Sequence, residues 1–347
     1  MASPTVRVSR PGASSAGGRT VVVAPDSFKG TFTAGEVADE LASGVRAGGI
    51  AQVALCPVAD GGEGTLDVLL ERLGGELHRA RVQDPLGRGI DAVFGVSDGG
   101  RTAIVEVARA AGLGLLGEGE RDPEAASSAG VGDLIVAAVA AGAREILIGL
   151  GGSATTDGGA GAVDVISRAG GLGRARLVLL CDVATPFERA AEVFGPQKGA
   201  DPAAVARLSV RLDRLASGLP RDPRGVPMTG AAGGLSGGLW AAFGAELVPG
   251  AGFVLDRLGF DGLIADAAVV ITGEGRLDEQ TAAGKLVAVV AGRGLRRGIP
   301  VHAVVGSDGL GRRASAAIGL ASVREAGTRE ALRAAGAELA RVVLGRG

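Results

Sequence analysis

Short apolar runs alternate along the chain with glycine-rich turns and amphipathic stretches. This rhythm is typical of α/β units whose strands are parallel. The first unit is the clearest, with a predicted strand at Thr20–Ala24, a loop through Lys29 and a helix that begins at Ala34. Thr33 and Glu36 have the spacing of a capping box, which predicts that the helix begins there.

The same rhythm predicts further elements along the chain. The strands are Gln52–Val58, Glu145–Ile148, Arg176–Leu180, Ala268–Ile271 and Val301–Val305, and the helices are Leu66–Arg72, Val131–Ala141, one from Gly284, and Arg329–Leu344. In between, the pattern changes to short β runs with a hairpin signal at Asp98-Gly99-Gly100, and these runs are Leu77–Val82, Asp91–Val96 and Thr102–Val107. This change indicates a second, mixed α/β domain.

The α/β rhythm resumes near the C-terminus, and no internal repeat is present. The simplest architecture is a Rossmann-like domain with a parallel sheet, formed by residues 19–80 and 262–347, with residues 81–261 inserted as the mixed α/β domain. Residues 1–18, rich in Ser, Gly, Pro and Arg, are expected to form a disordered arm. The active site is expected in the cleft between the domains, outside the carboxyl ends of the strands.

Net charge and residue usage exclude several classes of partner. The formal charge is −2 with acids and bases interspersed, so no basic stripe for nucleic acid and no polybasic membrane patch is present. The N-terminal stretch lacks the apolar segment of a signal peptide. The uncharged run Gly225–Ala245 contains seven glycines and predicts a buried loop leading into a helix, not a membrane span. Cys56 and Cys181 stand apart and are expected to be free thiols in the cytoplasm.

Lysine is scarce in this chain. Of 36 basic residues only Lys29, Lys198 and Lys285 are lysines, and all three lie beside glycine in loop-like surroundings. In a chain that otherwise uses arginine, a retained lysine suggests a task for a compact ammonium, such as contact with a phosphate in a tight loop. The alternative is that all three are solvated surface charges.

A long glycine-rich loop, residues 149–161, follows one predicted strand. Its backbone N–H groups and the hydroxyls of Ser153 and Thr155 suit an anion at the start of a helix. A dinucleotide fingerprint fits only weakly, because the loop stays glycine-rich too long and no acid follows at the required place. A Walker A motif is absent, since Gly284-Lys285 is followed by Leu286.

Carboxylates recur directly after predicted strands, at Asp26, Asp60 with Glu63, Asp182, and Glu274 with Asp278. A single Asp beside Gly is most often a helix cap. Repetition of such acids beside loop lysines favours phosphoryl transfer, which needs positive charge, Mg²⁺ and an oriented hydroxyl. The only histidines, His78 and His302, lie inside predicted strands, so no histidine-based triad or zinc site can be assembled.

Seven motifs together resemble the bacterial type-1 glycerate kinase family, and they occur in the family's order between about Val21 and Leu344. These motifs are Ala24-Pro25-Asp26-Ser27-Phe28-Lys29-Gly30-Thr31, Pro57-Val58-Ala59-Asp60-Gly61-Gly62-Glu63-Gly64-Thr65, Gly151-Gly152-Ser153-Ala154-Thr155, Cys181-Asp182-Val183, Val193-Phe194-Gly195-Pro196-Gln197-Lys198-Gly199-Ala200, Gly230-Ala231-Ala232-Gly233-Gly234-Leu235 and Ile271-Thr272-Gly273-Glu274-Gly275-Arg276. The resemblance implies a two-domain α/β kinase that uses ATP and Mg²⁺ to phosphorylate D-glycerate, typically at the 2-hydroxyl.

With this resemblance, site roles can be expected for individual residues. Lys29 and Lys198 are expected to anchor phosphate or carboxylate, and Asp182 to orient the substrate hydroxyl. Magnesium would be served by Asp60 and Glu63 or by Glu274 and Asp278. The remaining expected contacts to substrate or phosphate are Asp26, Ser27, Gly151, Gly152, Ser153, Thr155, Gly273, Gly275 and Lys285.

The chain departs from the family pattern at several positions. The segment Gly161–Cys181 is compressed, Ala184–Phe187 lacks an expected Asn, and an expected Thr-Thr-Ser pattern is replaced by Ala126-Ser127-Ser128. Val131 stands for an expected Thr, and Val287 for an expected Pro. These changes leave two alternatives open, a kinase for another small hydroxy acid and a catalytically silent metabolite-binding protein. The sequence leaves the oligomeric state open as well.

Overall fold

The computed structural model describes residues 20–117, 119–282 and 285–345. The predicted arm, residues 1–18, and the helix start predicted at Gly284 lie outside the described residues. Among the described helices, none combines the length and apolar character that a membrane crossing requires.

Strands and helices alternate through most of the described chain. The strands are β1 (Thr20–Pro25), β2 (Val53–Leu55), β3 (Glu76–Gln83), β4 (Gly89–Ser97), β5 (Thr102–Glu106), β6 (Glu145–Gly149), β7 (Arg176–Cys181), β8 (Glu246–Pro249), β9 (Ala267–Gly273), β10 (Arg276–Leu277), β11 (Val301–Val305), β12 (Ser307–Asp308) and β13 (Ser322–Glu325). The helices are α1 (Ala34–Ala47), α2 (Thr65–Leu73), α3 (Ala108–Ala111), α4 (Ala129–Ala140), α5 (Ala160–Arg168), α6 (Ala190–Phe194), α7 (Pro202–Gly218), α8 (Leu235–Phe243), α9 (Gly250–Arg257), α10 (Phe260–Leu263), α11 (Glu279–Ala282), α12 (Leu286–Arg296), α13 (Arg312–Ala317) and α14 (Arg329–Val343).

The first sheet has five parallel strands in the order β13-β11-β9-β1-β2, so both ends of the chain contribute to it. Its central strands are apolar and buried, and α1 and α14 pack together beside it. Helix α1 begins where the sequence predicts, because Thr33 accepts the backbone N–H of Glu36 while Glu36 accepts that of Thr33. The strand order reverses between β1 and β9, and such switch points open a crevice for ligands.

The second sheet has six strands in the sequential order β3-β4-β5-β6-β7-β8. Strands β3, β4 and β5 are antiparallel, with the predicted turn at residues 98–100 between β4 and β5, and β5 to β8 are parallel. This is the mixed α/β pattern expected for the middle of the chain. All of β3 pairs with β4, so the predicted boundary between residues 80 and 81 cuts a strand. The chain leaves the first sheet earlier, in the loop between β2 and α2.

One apolar core joins the two sheets. Val22 and Val270 of the first sheet belong to the same buried cluster as Ile104, Leu147 and Val178 of the second. Helix α2 packs against β4 and β5 of the second sheet, although it directly follows the loop after β2. The loop that contains Asp60 therefore runs from one sheet to the other, and this path brings the strand ends of both sheets to one cleft.

The glycine-rich run Gly225–Ala245 is a mostly buried loop followed by helix α8, as the sequence predicts. Ala232, Gly233 and Gly234 have consecutive positive φ values of 51°, 67° and 88°. A Cβ on Gly233 would lie 1.9 Å from the carbonyl oxygen of Thr155, so glycine is required where this loop presses on the loop after β6.

Candidate active site

The switch point of the first sheet brings two predicted site loops together. Strands β1 and β9 pair up to Pro25 and Gly273, and the backbone N–H of Asp26 donates to the carbonyl of Gly273 at 2.8 Å. Asp26 and Glu274 therefore leave adjacent strands at the same edge of the sheet. Gly273 contributes backbone geometry here, since a Cβ on it would lie 2.0 Å from the carbonyl oxygen of Val304.

A cleft with two lobes lies at this edge. The smaller lobe has a volume of about 470 Å³, and its walls are Asp26, Ser27, Phe28, Lys29, Thr31, Asp60, Glu274, Gly275, Arg276, Asp278, Lys285, Gly306, Ser307 and Gly327. The larger lobe, of about 780 Å³, extends along α1, α2 and α3. Asp26, Ser27, Lys29 and Thr31 line both lobes and form their junction.

The Lys29 ammonium is the positive centre of the junction. Its pKa is raised, chiefly by the charge of Asp60 and then by Asp26, Asp182 and Glu63. Lys29 is therefore charged at neutral pH and is surrounded by more negative than positive groups. Such a surplus of carboxylates around one ammonium suits a site that binds a cation together with an anion.

Two of these carboxylates have raised pKa values. Burial raises the pKa of Asp26 well above its ordinary range, with a further contribution from Asp60. Burial followed by Asp60 also raises the pKa of Asp182, while Lys285 and Lys29 oppose the change. Asp182 follows β7 of the second sheet, so these interactions place it beside the acids and lysines of the first.

The Asp60 loop and the glycine-rich loop lie against each other. The Asp60 side chain accepts the backbone N–H of Gly62 at 2.9 Å, and Gly61 accepts the backbone N–H of Leu150 at 2.9 Å. A Cβ on Gly151 would lie 2.7 Å from Cα of Gly62, so this close approach requires glycine. A Cβ on Gly152 would likewise lie 2.2 Å from the carboxylate oxygen of Glu63, a residue that lines the larger lobe.

Glu274 and Asp278, the second predicted pair of metal ligands, both line the smaller lobe. The Glu274 carboxylate accepts the Thr281 hydroxyl at 2.6 Å, and burial raises its pKa to about 7. Within the described ranges no group of three or more His, Cys, Asp or Glu side chains is arranged to hold a metal ion. Magnesium is usually held by one or two carboxylates together with substrate phosphates, so the oxygen donors here fit that metal.

Lys198 lies outside both lobes. Its side chain is 2% exposed, and its ammonium donates to the Ser153 hydroxyl at 3.0 Å and to the carbonyl of Thr155 at 2.5 Å. Burial lowers its pKa to about 7. In this structure the Lys198 ammonium holds the glycine-rich loop, and its contact with substrate stays a prediction.

The distal half of the glycine-rich loop is structural. Asp157 is buried and accepts hydrogen bonds from the Ser128 backbone and hydroxyl, both at 2.8 Å, and from the backbone of Gly159 and Gly161. It thereby links the start of α4 to the start of α5. Thr155 is fully buried, and within the described part of the chain its hydroxyl has no hydrogen-bond partner. The Thr155 hydroxyl therefore does not face an open surface from which it could contact the expected anion.

Sequence reasoning missed the polar residues on the far wall of the larger lobe. Glu106 ends β5, is buried, and accepts the backbone N–H of Leu66 at 2.9 Å and the Arg109 guanidinium at 3.1 Å. Arg109 also lies 3.7 Å from Asp67. The signal was present, because Glu106 is another acid at the end of a strand.

The expected free thiols and strand histidines take no part in the cleft lobes. Cys56 and Cys181 are free and buried, and burial raises the pKa of each thiol to about 12. His302 is paired through Nδ1 with the Ser322 hydroxyl at 2.7 Å.

Parallel strand ends that carry a lysine and several carboxylates into one cleft are typical of α/β enzymes that act on phosphorylated ligands. A family model described as the glycerate kinase family matches residues 21–169 and 163–343. The chain belongs to this family and is an enzyme of the kinase class.

Similar proteins cover nearly the same length. The chain is 39% identical to the glycerate kinase of Halalkalibacterium halodurans, over 84% of this chain and 86% of that protein. It is 38% identical to the glycerate 2-kinase of Escherichia coli, over 83% and 85%. The crystal structure of a protein assigned as glycerate kinase 2 from Salmonella typhimurium LT2 superposes with a TM-score of 0.81 at 33% identity, covering 95% of this chain and 99% of that one.

Proposed function

We propose that this protein transfers the γ-phosphoryl group of ATP to the 2-hydroxyl of D-glycerate, forming 2-phosphoglycerate and ADP with Mg²⁺ as the required metal. The observation that carries the proposal is the junction of the cleft, where Lys29 lies among carboxylates from both sheets. Family membership supports the kinase class, and the name of the Escherichia coli relative supports the 2-hydroxyl as acceptor.

In the proposed reaction Asp182 orients the 2-hydroxyl and accepts its proton. A carboxylate whose pKa is raised by burial is a stronger base near neutral pH than an exposed aspartate. The hydroxyl oxygen forms a bond to the γ-phosphorus as the bond to the bridging oxygen of ADP breaks. Lys29 and Lys285 stabilise the charge on the phosphoryl oxygens and the glycerate carboxylate.

Oxygen ligands for Mg²⁺ are available from Asp60, Glu274 and Asp278 around the smaller lobe and from Glu63 in the larger one. The metal would neutralise phosphate charge when bound. Asp26 and Ser27 would contact the phosphates at the junction, and the backbone of Gly151, Gly152 and Gly275 would let the loops approach them closely.

Lys198 has a positioning role in this proposal. Its ammonium fixes Ser153 and the carbonyl of Thr155, and the same loop lies against Gly62 and Glu63 through Gly151 and Gly152. Loss of Lys198 would therefore act on the reaction through the shape of the loop.

The test is an initial-rate assay of ADP formation with Mg-ATP and a panel of small hydroxy acids. D-glycerate should give the highest kcat/KM, and chelation of the metal should abolish turnover. A higher kcat/KM with another hydroxy acid would favour a different small-acid kinase, which the compressed segment 161–181 leaves open. Absence of turnover with every acid would favour a silent metabolite-binding protein.

A further inference from the structure

The two lobes of the cleft differ in their walls as well as in size. Among the described residues of the smaller lobe, Phe28 is the only apolar side chain, and the rest is polar or glycine. The larger lobe has an apolar wall in which Phe32 and Pro57 are half-buried and Ala34, Val58 and Val68 are buried. A flat apolar wall suits a nucleobase, whereas a small polar chamber suits a short hydroxy acid.

The charges of the smaller lobe fit an anionic acceptor. Lys29, Arg276 and Lys285 line it together with four carboxylates, and Arg276 lies 3.7 Å from one of them, Asp278. Among its described residues, the larger lobe has only two cations, Lys29 and Arg109, against six carboxylates. The cations of the smaller lobe can serve the carboxylate of the acceptor and the incoming phosphoryl group. Asp182 acts electrostatically on the lysines of this lobe and is itself influenced most by Asp60. Asp182 is not among the residues that line either lobe, but one of the two lysines on which its charge acts, Lys285, lines the smaller lobe alone.

The charges of the larger lobe are different. Arg109 is already paired with Glu106 and Asp67, while Glu63 and Glu71 add further negative charge. Such a surplus repels a bare polyphosphate and accepts it more readily as a metal complex.

We infer that the nucleoside triphosphate occupies the larger lobe and the hydroxy acid the smaller lobe, with phosphoryl transfer at the junction lined by Lys29. This assignment rests on the proposed function and adds which substrate each lobe holds. The nucleobase lies against Phe32 and Pro57, and the acceptor carboxylate lies toward Arg276 and Lys285.

Two glycines offer a steric test. Gly35 lines the larger lobe and Gly327 the smaller, and a Cβ added at either would meet no heavy atom within 4 Å. Neither has the positive φ that would strain another residue. Leucine at either position should therefore reduce the free volume of one lobe and leave the backbone unchanged. Gly218 on α7 has the same open surroundings outside both lobes, so Gly218→Leu is the matched control.

The experiment is isothermal titration of the full chain with ADP, with and without Mg²⁺, and with D-glycerate. Gly35→Leu should weaken ADP binding at least about tenfold, or about 1.4 kcal/mol, and change D-glycerate binding less than about twofold. Gly327→Leu should do the reverse, and Gly218→Leu should change neither. ADP binding to the unaltered protein should require Mg²⁺. If a leucine variant does not fold, Glu71→Trp and Ser307→Trp replace the pair, since each is exposed and lines one lobe.

The outcomes separate this inference from the proposed function. If the protein phosphorylates D-glycerate but the two leucine variants show the opposite preference, the lobe assignment is wrong and the activity stands. Equal losses of both ligands in both variants, or no loss in either, would also overturn the assignment. If the unaltered protein neither binds nor turns over these ligands, the proposed function fails as well.

Discussion

At the scale of single residues, Lys29 is the group that a point substitution should test best. Arginine keeps the charge but places a wide planar fork where the loop holds a compact ammonium among carboxylates. Lys29→Arg should lower kcat/KM at least about a hundredfold, about 2.7 kcal/mol of transition-state stabilisation. The melting temperature should change little, because Lys29 itself is exposed.

The control for Lys29→Arg is Arg296→Lys, an exposed basic exchange at the end of α12 that should leave kcat/KM unchanged. Steady-state kinetics on both variants provide the measurement. Near-normal activity of Lys29→Arg would mean that lysine scarcity in this chain does not indicate function.

Asp182 is predicted to act in the transition state. Asp182→Asn should lower kcat far more than it raises KM, because a base that accepts the hydroxyl proton contributes little to substrate binding. Asp201 caps α7 by accepting the backbone N–H of Ala204 at 2.7 Å, so Asp201→Asn shows how a simple cap responds. Asn is nearly as good a cap as Asp, and that variant should be close to neutral. Equal behaviour of the two variants would argue against a chemical role for Asp182.

The lowered pKa of Lys198 predicts how the free energy of unfolding depends on pH. Burial lowers its pKa to about 7 from an ordinary 10.5, and Asp157 only partly opposes this. Between these values the unfolded chain holds a proton that the folded protein has released, so this group adds stability as pH rises from about 7 toward 10. The stability of the unaltered protein relative to Lys198→Met should therefore rise over this range, by at most about 1.4 kcal/mol per pH unit.

Urea unfolding of the two proteins at several pH values measures this difference. Parallel stability profiles would show that the Lys198 ammonium does not titrate differently in the folded and unfolded states.

From the sequence alone, Lys29, Lys198 and Lys285 looked alike. Spacing along the chain cannot tell whether a loop lysine faces a cleft or lies beneath a neighbouring loop, since that depends on contacts between distant segments such as Lys198 with Ser153.

At the scale of elements, Asp157 joins the start of α4 to the start of α5. Asp157→Ala would leave several buried donors without a partner, and each unsatisfied donor costs about 1–3 kcal/mol. We expect a loss of at least about 3 kcal/mol in the free energy of unfolding. Asp164→Ala, which removes an exposed ion pair with Arg168 on α5, should cost less than about 1 kcal/mol. Similar losses of stability in both variants would show that Asp157 does not hold the starts of α4 and α5 together.

Elements with a continuous apolar run or a defined cap could be predicted from the sequence. The strand at Val301–Val305 has the predicted bounds, and α1 begins at Ala34 as its capping box indicates. Strand β2 is shorter than predicted, at Val53–Leu55, although the backbone N–H groups of Cys56 and Val58 still donate to the carbonyls of Val23 and Pro25 in β1. Strands such as β13, Ser322–Glu325, carry no apolar run and depend on a neighbouring strand to form.

At the scale of the whole molecule, the two sheets share one core, and the loop after β2 passes from one to the other. The sequence could predict a sheet formed by both chain ends, because the strand rhythm returns near residue 268. The change of pattern at Leu77–Val82 already indicated that this run belongs to the second domain, and β3 does pair with β4, but the boundary predicted after residue 80 cuts the strand. The division into domains at residues 81 and 261 stays a prediction apart from this correction at β3.

The proposed chemistry of the cleft depends on this arrangement, because Lys29 and Asp182 come from different sheets and each acts on the charge of the other only when both sheets are in place. Phosphorus NMR of a reaction with Mg-ATP and D-glycerate tests the central claim most directly. The account predicts that the γ-phosphate resonance of ATP falls while a resonance of 2-phosphoglycerate grows in equal amount. Unchanged ATP, or 3-phosphoglycerate as the only new product, would contradict it.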